Sequence, residues 1–446
     1  MLLTIEKLIY GGDGLARLPE TQSPAQNHGR GKAVFVPFVL EGEKIEARVT
    51  EQKPGFARAV ADHIVEPSPH RVEPECPYFA HCGGCHYQHA SYEHQLQIKE
   101  SILRETLRRT AKLELDAPIQ VHPSPPWNYR NRSRLQIRTQ PEFLLGYFQQ
   151  SSQEVLAIEQ CPISSPLINR GIAAVWQLGR DEKVPEEVVE IEFFANADDS
   201  KLLVELGCSE AARRASIRAF AEQLKEAASE IAGVGAFRQR THGLPERLPS
   251  VGDDFLIYAT QRGALRVSAG SFFQTNRHRI DELVHIVTQS RSGDIALDLY
   301  AGVGLFSTAL AGDFRHIVSV ELSQTSTGDL SYNLPSNGET VQATTEQYLA
   351  RMENSERIGK GANLTYPFHK PDLAVVDPPR TGLGESVARC LTNLGAPQIV
   401  SVSCDPATLA RDLKVLLADG YRVAQAHLVD MFPQTYHIES VFVLDR

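Results

Sequence analysis

The 446-residue sequence predicts an α/β protein in three parts: a small OB-like β-barrel over 1–65, a mixed α+β region over 70–270, and a Rossmann-like domain over 271–446. Three observations predict it. Short apolar runs joined by Gly-rich turns fill the first 65 residues. A cysteine-bearing central stretch then mixes strand and helix patterns. From Ile295 onward, apolar strand runs alternate with helical patterns, which is how a parallel sheet reads in sequence. At about 150 residues per domain, three parts also suit the length.

Composition is that of an ordinary soluble chain. No stretch reads as a signal peptide and no apolar run nears the roughly 20 residues of a membrane span, so a cytoplasmic protein, expected to be a monomer, is predicted. The net charge of −10 excludes a uniformly basic nucleic-acid binder. Local patches matter more than the sum.

In the first part, Ile5–Arg17, Lys32–Val39 and Lys44–Thr50 read as short strands. Their Gly-rich turns suit the barrel type that binds nucleic acid. The intervening Glu20–Lys32 insertion, rich in Gln, Gly and Asn, reads as a loop.

The central part opens on Cys76, Cys82 and Cys85 in a C-x5-C-x2-C pattern, with Cys161 a plausible fourth ligand. Four thiolates suit zinc or an iron–sulfur cluster, and spacing alone does not choose between them. Gly83 and Gly84 permit the tight turn between ligands. Seven cysteines are an odd number, and a long chain without a secretory signal argues against a disulfide framework. Cys208 and Cys390 have no ligand-like neighbours. A helix pattern over 92–113 carries Lys99, Arg104, Arg108 and Arg109, partly balanced by acids. Next come Arg130, Arg132, Arg134 and Arg138, which share even parity, so a strand places all four on one face. No acid interrupts them, and RNA contact is the expectation. The 180–246 stretch carries no assigned chemistry.

In the third part, Asp298-Leu-Tyr-Ala-Gly-Val-Gly304 leads a strand into a Gly-x-Gly turn and a helix. Ser307 stands where a third glycine would complete a pyrophosphate fingerprint, so a nucleoside without phosphates, such as S-adenosylmethionine (SAM), fits better than NAD. The next strand ends in Glu321, near the spacing at which an acid reaches ribose hydroxyls. A third ends in Asp377-Pro-Pro-Arg380. A fourth stops at Cys404-Asp-Pro, facing a helix over 408–418 whose positive end is expected to favour the thiolate. Glu439 lies in a largely apolar terminal strand, where desolvation raises a carboxylate's pKa. His437 would share its strand face and competes with it for a base's role.

Five ordered motifs carry a resemblance. They are Ser271-Phe-Phe-Gln-Thr-Asn276, Asp298–Gly304, Asp377–Arg380, Val402–Asp412 and His437-Ile-Glu-Ser440. Together they resemble the SAM-dependent RNA uracil-5-methyltransferases of the RumA/TrmA type, in their cluster-bearing branch. The resemblance implies a class I Rossmann-like methyltransferase domain preceded by a TRAM barrel and a central iron–sulfur and RNA-binding domain. It implies Cys404 as nucleophile and Glu439 as base, with cofactor contacts at Gln274, Tyr300, Glu321 and Asp377. It also implies a [4Fe–4S] cluster on Cys76, Cys82, Cys85 and Cys161, and RNA as partner, ribosomal RNA ahead of transfer RNA. Two departures stand out. No acid or Asn follows the third strand near Thr344 and Thr345 unless Glu346 substitutes, and Asp405 stands where many relatives have Asn. The chemistry agrees with the resemblance: carbon-5 of uracil is a poor nucleophile until a thiolate adds to carbon-6. The other class of function is a non-catalytic iron–sulfur RNA-binding or redox-sensing protein, which has no use for both Cys404 and Glu439.

Overall fold

The alternating apolar and helical patterns of the C-terminal part fold into an eight-stranded sheet. In the computed structural model, which describes residues 1–18, 31–358 and 370–446, its order is Gly338–Gln342, Phe314–Glu321, Gly293–Leu299, Leu373–Val376, Gln398–Ser403, Glu439–Asp445, Arg422–Val429 and Gln120–His122. The first five strands are parallel, and Glu439–Asp445 runs antiparallel to both neighbours. Leu373–Val376 is buried along its whole length, as expected of a parallel strand covered on both faces. Between Gly293–Leu299 and Leu373–Val376 the chain order reverses, and ligands bind open α/β sheets at such a switch point.

The last strand, Gln120–His122, comes from the central part of the sequence. His122 Nε2 lies 3.0 Å from His427 Nδ1, and His122 Nδ1 lies 2.9 Å from Glu282. The catalytic sheet is thus completed by an element far upstream.

The N-terminal residues form a six-stranded sheet over 2–66, around a core that includes Leu3, Ile5, Val34, Val36 and Ile45. Most of the expected Glu20–Lys32 loop lies outside the described residues. The central part forms a seven-stranded sheet in the order Val155–Ala157, Leu144–Phe148, Arg132–Arg138, Val188–Ala195, Leu202–Cys208, Ile231–Arg238 and Glu246–Gly252. The helix Pro166–Arg180 packs on it, its start capped by the Ser165 hydroxyl, which accepts from Ile168 N at 3.2 Å.

The arginine stripe departs from expectation. Alternation holds, with Ser133, Leu135 and Ile137 buried on the opposite face. Counter-charges nevertheless arrive from the neighbouring strand: Arg134 Nε lies 2.8 Å from Glu192, and Arg132 Nε lies 3.4 Å from the same carboxylate. Arg132 also lies over the Phe194 ring at 4.6 Å. Arg130 falls outside the strand altogether. Two of the four arginines of the expected stripe are therefore ion-paired, because strand pairing brings in acids from a distant segment.

The predicted 92–113 helix runs as an α-helix over Tyr92–Thr106 and continues as a π-turn over Leu107–Ala111. Lys99, expected as part of its basic surface, is instead buried: its Nζ lies 2.6 Å from Asp430, and both side chains are 1 % exposed. Tyr92 donates to the same carboxylate at 2.9 Å. This network ties the helix to the segment leading into Glu439. Lys99→Met should leave Asp430 buried and uncompensated, costing about 3–5 kcal/mol of stability in denaturant unfolding. A variant as stable as the parent would show the pair to be dispensable.

Candidate active site

The parallel strands end in polar residues at one edge of the sheet, and those residues meet there. Tyr300 follows Leu299, Glu321 ends its strand, Asp377 follows Val376, and Cys404 follows Ser403. Ser403 pairs with Ser440 across the antiparallel ladder, so Cys404 and Glu439 stand opposite each other one step further on. All four line a cavity of about 810 Å³ together with Gln274 and Glu439. The six residues implied by the resemblance for catalysis and cofactor contact thus share one chamber. Arg130, Phe272, Arg380, Phe432 and His437 complete much of its wall.

Local geometry explains the placements. Gly304 opens the helix after the Gly-x-Gly turn at φ 93°, and a Cβ there would meet Leu330 at 2.8 Å. Tyr300 holds a left-handed φ of 65°, a strained state for a bulky residue, at the point where the backbone turns into the cavity. Both carboxylate oxygens of Glu321 accept backbone N–H groups, from Gly302 at 2.9 Å and Ser323 at 2.7 Å. That fixes the carboxylate while leaving lone pairs for a diol. Gln274 donates to Asp377 at 3.2 Å. Thr344, Thr345 and Glu346 also line the cavity. Thr344 caps the following helix by exchanging hydrogen bonds with Gln347.

Electrostatics overturn one expectation. The helix after Cys404 begins at Pro406, and its free N–H groups at Ala407 and Thr408 are taken by the Asp405 side chain, each at 2.9 Å. The positive helix end is spent on that cap rather than on the thiol. Burial, then the charges of Glu439 and Asp377, push the Cys404 thiol up to about 12. Such a shift favours the protonated thiol at Cys404. Asp405→Ala should remove the cap and cost about 1 kcal/mol in thermal or denaturant unfolding; no change would mean that water replaces it fully.

Burial also pushes Asp377 up to about 7 and raises Glu439 well above the usual carboxylate range, with Asp377 adding to the rise at Glu439. His437 moves the other way, down to about 3, through burial and the nearby Arg380 and Arg130 cations. It lies in the turn before the strand rather than on a shared strand face. Glu439 is the stronger base of the two.

Tyr10, from the N-terminal sheet, was not singled out by its sequence. Its hydroxyl reaches the Cys404 carbonyl at 3.4 Å, and its ring meets Tyr436 edge-on at 5.4 Å. No spacing rule links residues so far apart.

The cysteines Cys76, Cys82, Cys85 and Cys161 line a second cavity, of about 200 Å³. All are free thiols. Burial raises Cys76 and Cys85, and pushes Cys82 up to about 11. Gly84 N–H donates to Cys82 Sγ at 3.4 Å, as backbone amides do toward cluster sulfurs. Among the described residues, no three His, Cys, Asp or Glu side chains form a group that could hold one metal ion. Four cysteine thiols on one cavity are the donor set that a thiolate-held centre uses, and the rest of the lining is mixed, with Tyr78, Phe79, Gln88, Arg130 and Tyr147 among it. Cys208 is buried elsewhere, and Cys390 packs against the catalytic core.

A parallel sheet with a reversed strand order, a Gly-x-Gly turn and an acid after the second strand define a class I SAM-dependent methyltransferase. Residues 91–446 match the profile described as tRNA (Uracil-5-)-methyltransferase, and residues 1–61 match the TRAM domain. The chain belongs to this uracil-5-methyltransferase family, and it is an RNA-modifying enzyme that uses SAM. An uncharacterized RNA methyltransferase of Aquifex aeolicus is 32% identical over 99% of this chain and 98% of its own. The 23S rRNA (uracil(1939)-C(5))-methyltransferase RlmD of Tolumonas auensis is 32% identical over 94% of this chain and 92% of its own. The crystal structure of Pyrococcus abyssi tRNA (uracil-54, C5)-methyltransferase with S-adenosyl-L-homocysteine covers 100% of both chains at a TM-score of 0.72 and 24% identity, a likeness of fold. Among the described residues, no helix is long and apolar enough to cross a membrane.

Proposed function

We propose that this enzyme methylates carbon-5 of one uridine in 23S ribosomal RNA, through a covalent bond between Cys404 and uracil carbon-6. The observation that carries the reading is that Cys404, just past the end of one strand, and Glu439, at the start of its antiparallel neighbour, line one cavity. The Cys404 sulfur, once deprotonated, adds to carbon-6 and makes carbon-5 an enolate carbon. That carbon takes the methyl group from the sulfonium of SAM, whose sulfur keeps the bonding pair and leaves as S-adenosylhomocysteine. Glu439 then removes the carbon-5 proton, the carbon-5 to carbon-6 double bond re-forms, and the thiolate departs. Glu321 holds the ribose diol, and Gln274, Tyr300 and Asp377 flank the rest of the donor. Glu346, on the cavity wall after the third strand, stands in for the missing acid or Asn beside adenine. A uridine must leave its helix to enter such a chamber, so the target is a looped or flipped base.

The ribosomal choice is supported by the RlmD-type relative. Labelled methyl transfer onto unmodified 23S transcript and onto unmodified transfer RNA tests it. Label in the ribosomal transcript alone is expected; label only in transfer RNA would overturn the target, and label in neither would overturn the activity.

The same reading places a [4Fe–4S] cluster on Cys76, Cys82, Cys85 and Cys161. It would hold together the loops around Cys76–Cys85 and Cys161, and the proposed methylation needs no electrons from it. Anaerobically purified protein should be brown and carry near-stoichiometric iron; zinc alone would refute the cluster.

A further inference from the structure

Arg130 is the residue that lines both cavities, the catalytic one and the cysteine one. Among the described residues no carboxylate forms an ion pair with it, unlike Arg132 and Arg134 two and four positions on. Its Nε is buried without a hydrogen-bond partner. A desolvated guanidinium needs an anion, and among the described residues no carboxylate supplies one.

Its backbone is firmly held. Arg130 N donates to Ile163 O at 2.9 Å, and Arg130 O accepts from Ser165 N at 2.9 Å, in the loop just after Cys161. On its other side it bridges to Asn276, two residues beyond Gln274. The cation therefore stands at the joint between the two chambers.

We propose that Arg130 is a shared counter-ion: it neutralises the thiolate-held centre on one side and donates N–H groups to an anionic oxygen of the bound RNA on the other. This rests on the cluster reading above. The cluster-side anion orients the guanidinium, and the fork so oriented grips RNA. Arg130 is in this sense a positioning residue, and the state of the cysteine site sets the RNA affinity of the catalytic site. SAM binding, proposed to rest on Gln274, Tyr300, Glu321 and Asp377, does not use the guanidinium.

The test uses full-length protein, reconstituted with iron and sulfide or stripped of both, and in-vitro transcribed 23S RNA as the probe. Iron content and absorbance first establish whether the centre assembles in the parent; if it does not, the cluster reading fails on that measurement. With the centre present, Arg130→Met should weaken RNA binding roughly tenfold, the scale of one charge-assisted contact. It should also shift the cluster's midpoint potential to more negative values, since a nearby positive charge that favours the reduced state has gone. Stripping the parent should weaken RNA binding by a similar factor, and stripping Arg130→Met should weaken it no further. Arg130→Lys should keep the potential near the parent's while losing RNA affinity, and it serves if the methionine variant fails to fold. SAM affinity should be unchanged in every folded form. Independent, additive losses on stripping and substitution, or an unmoved potential in Arg130→Met, would overturn the proposal. So would parental RNA affinity in both variants.

Discussion

Cys404→Ala is expected to reduce methyl transfer to background, a loss on the order of 10⁴-fold or more, the scale seen when a covalent nucleophile is deleted. SAM affinity should remain, because the contacts proposed for the donor at Tyr300, Glu321 and Asp377 stand at the ends of other strands. Cys404 is the one thiol among the residues lining the catalytic cavity, so no neighbour can replace it. Its protonation gives a second readout. The thiol is pushed up to about 12 by burial and by Glu439 and Asp377. At pH 8 the thiolate fraction is then roughly 1 in 10⁴. Alkylation of Cys404 in the free protein, followed by peptide mass spectrometry, should be slow and should rise about tenfold per pH unit between roughly pH 7 and 9.5. A bound sulfonium works in the other direction, since a nearby cation favours the thiolate. Ordinary turnover by the alanine variant would eliminate the covalent mechanism. Fast alkylation at neutral pH would mean that the thiol is not desolvated as the cavity implies.

Glu439→Gln should give the opposite phenotype: methyl transfer without release. The amide cannot take the carbon-5 proton, so the methylated uracil stays bonded to Cys404. A protein–RNA adduct that survives a denaturing gel is expected, with turnover lowered roughly 10²- to 10⁴-fold, the usual worth of a positioned base. The assignment over His437 follows from burial. Burial raises Glu439 well above an ordinary carboxylate, while burial and two arginines push His437 down to about 3. A base that weak is a poor acceptor near neutral pH. His437→Gln should therefore turn over at a modestly reduced rate and accumulate no adduct. An adduct in the His437 variant, with free turnover in the Glu439 variant, would exchange their roles.

Much of the site was legible because it is written locally. Tyr300, Glu321, Asp377 and Cys404 each mark the place where an apolar run stops, and in a parallel sheet those stops share an edge. Cys76, Cys82 and Cys85 declare themselves by spacing, and Cys161 joins them on the cavity wall. The arginine run was read with correct alternation and the wrong environment, since Glu190 and Glu192 belong to a strand that no spacing rule pairs with it. Lys99 looked like a surface charge and is a buried one, matched by Asp430 from the far end of the chain. Arg130 was placed in a stripe with its neighbours, yet it sits apart between two chambers.

The amino-acid order by itself determined the TRAM and methyltransferase folds, the family and the candidate site residues that meet in one cavity, because each depends on motifs a few residues long. Only the tertiary structure decided which charges are paired, which end of a helix is already capped, and whether a thiol or a carboxylate rests protonated. Those properties come from desolvation and from partners hundreds of residues away, and a linear pattern holds no record of either.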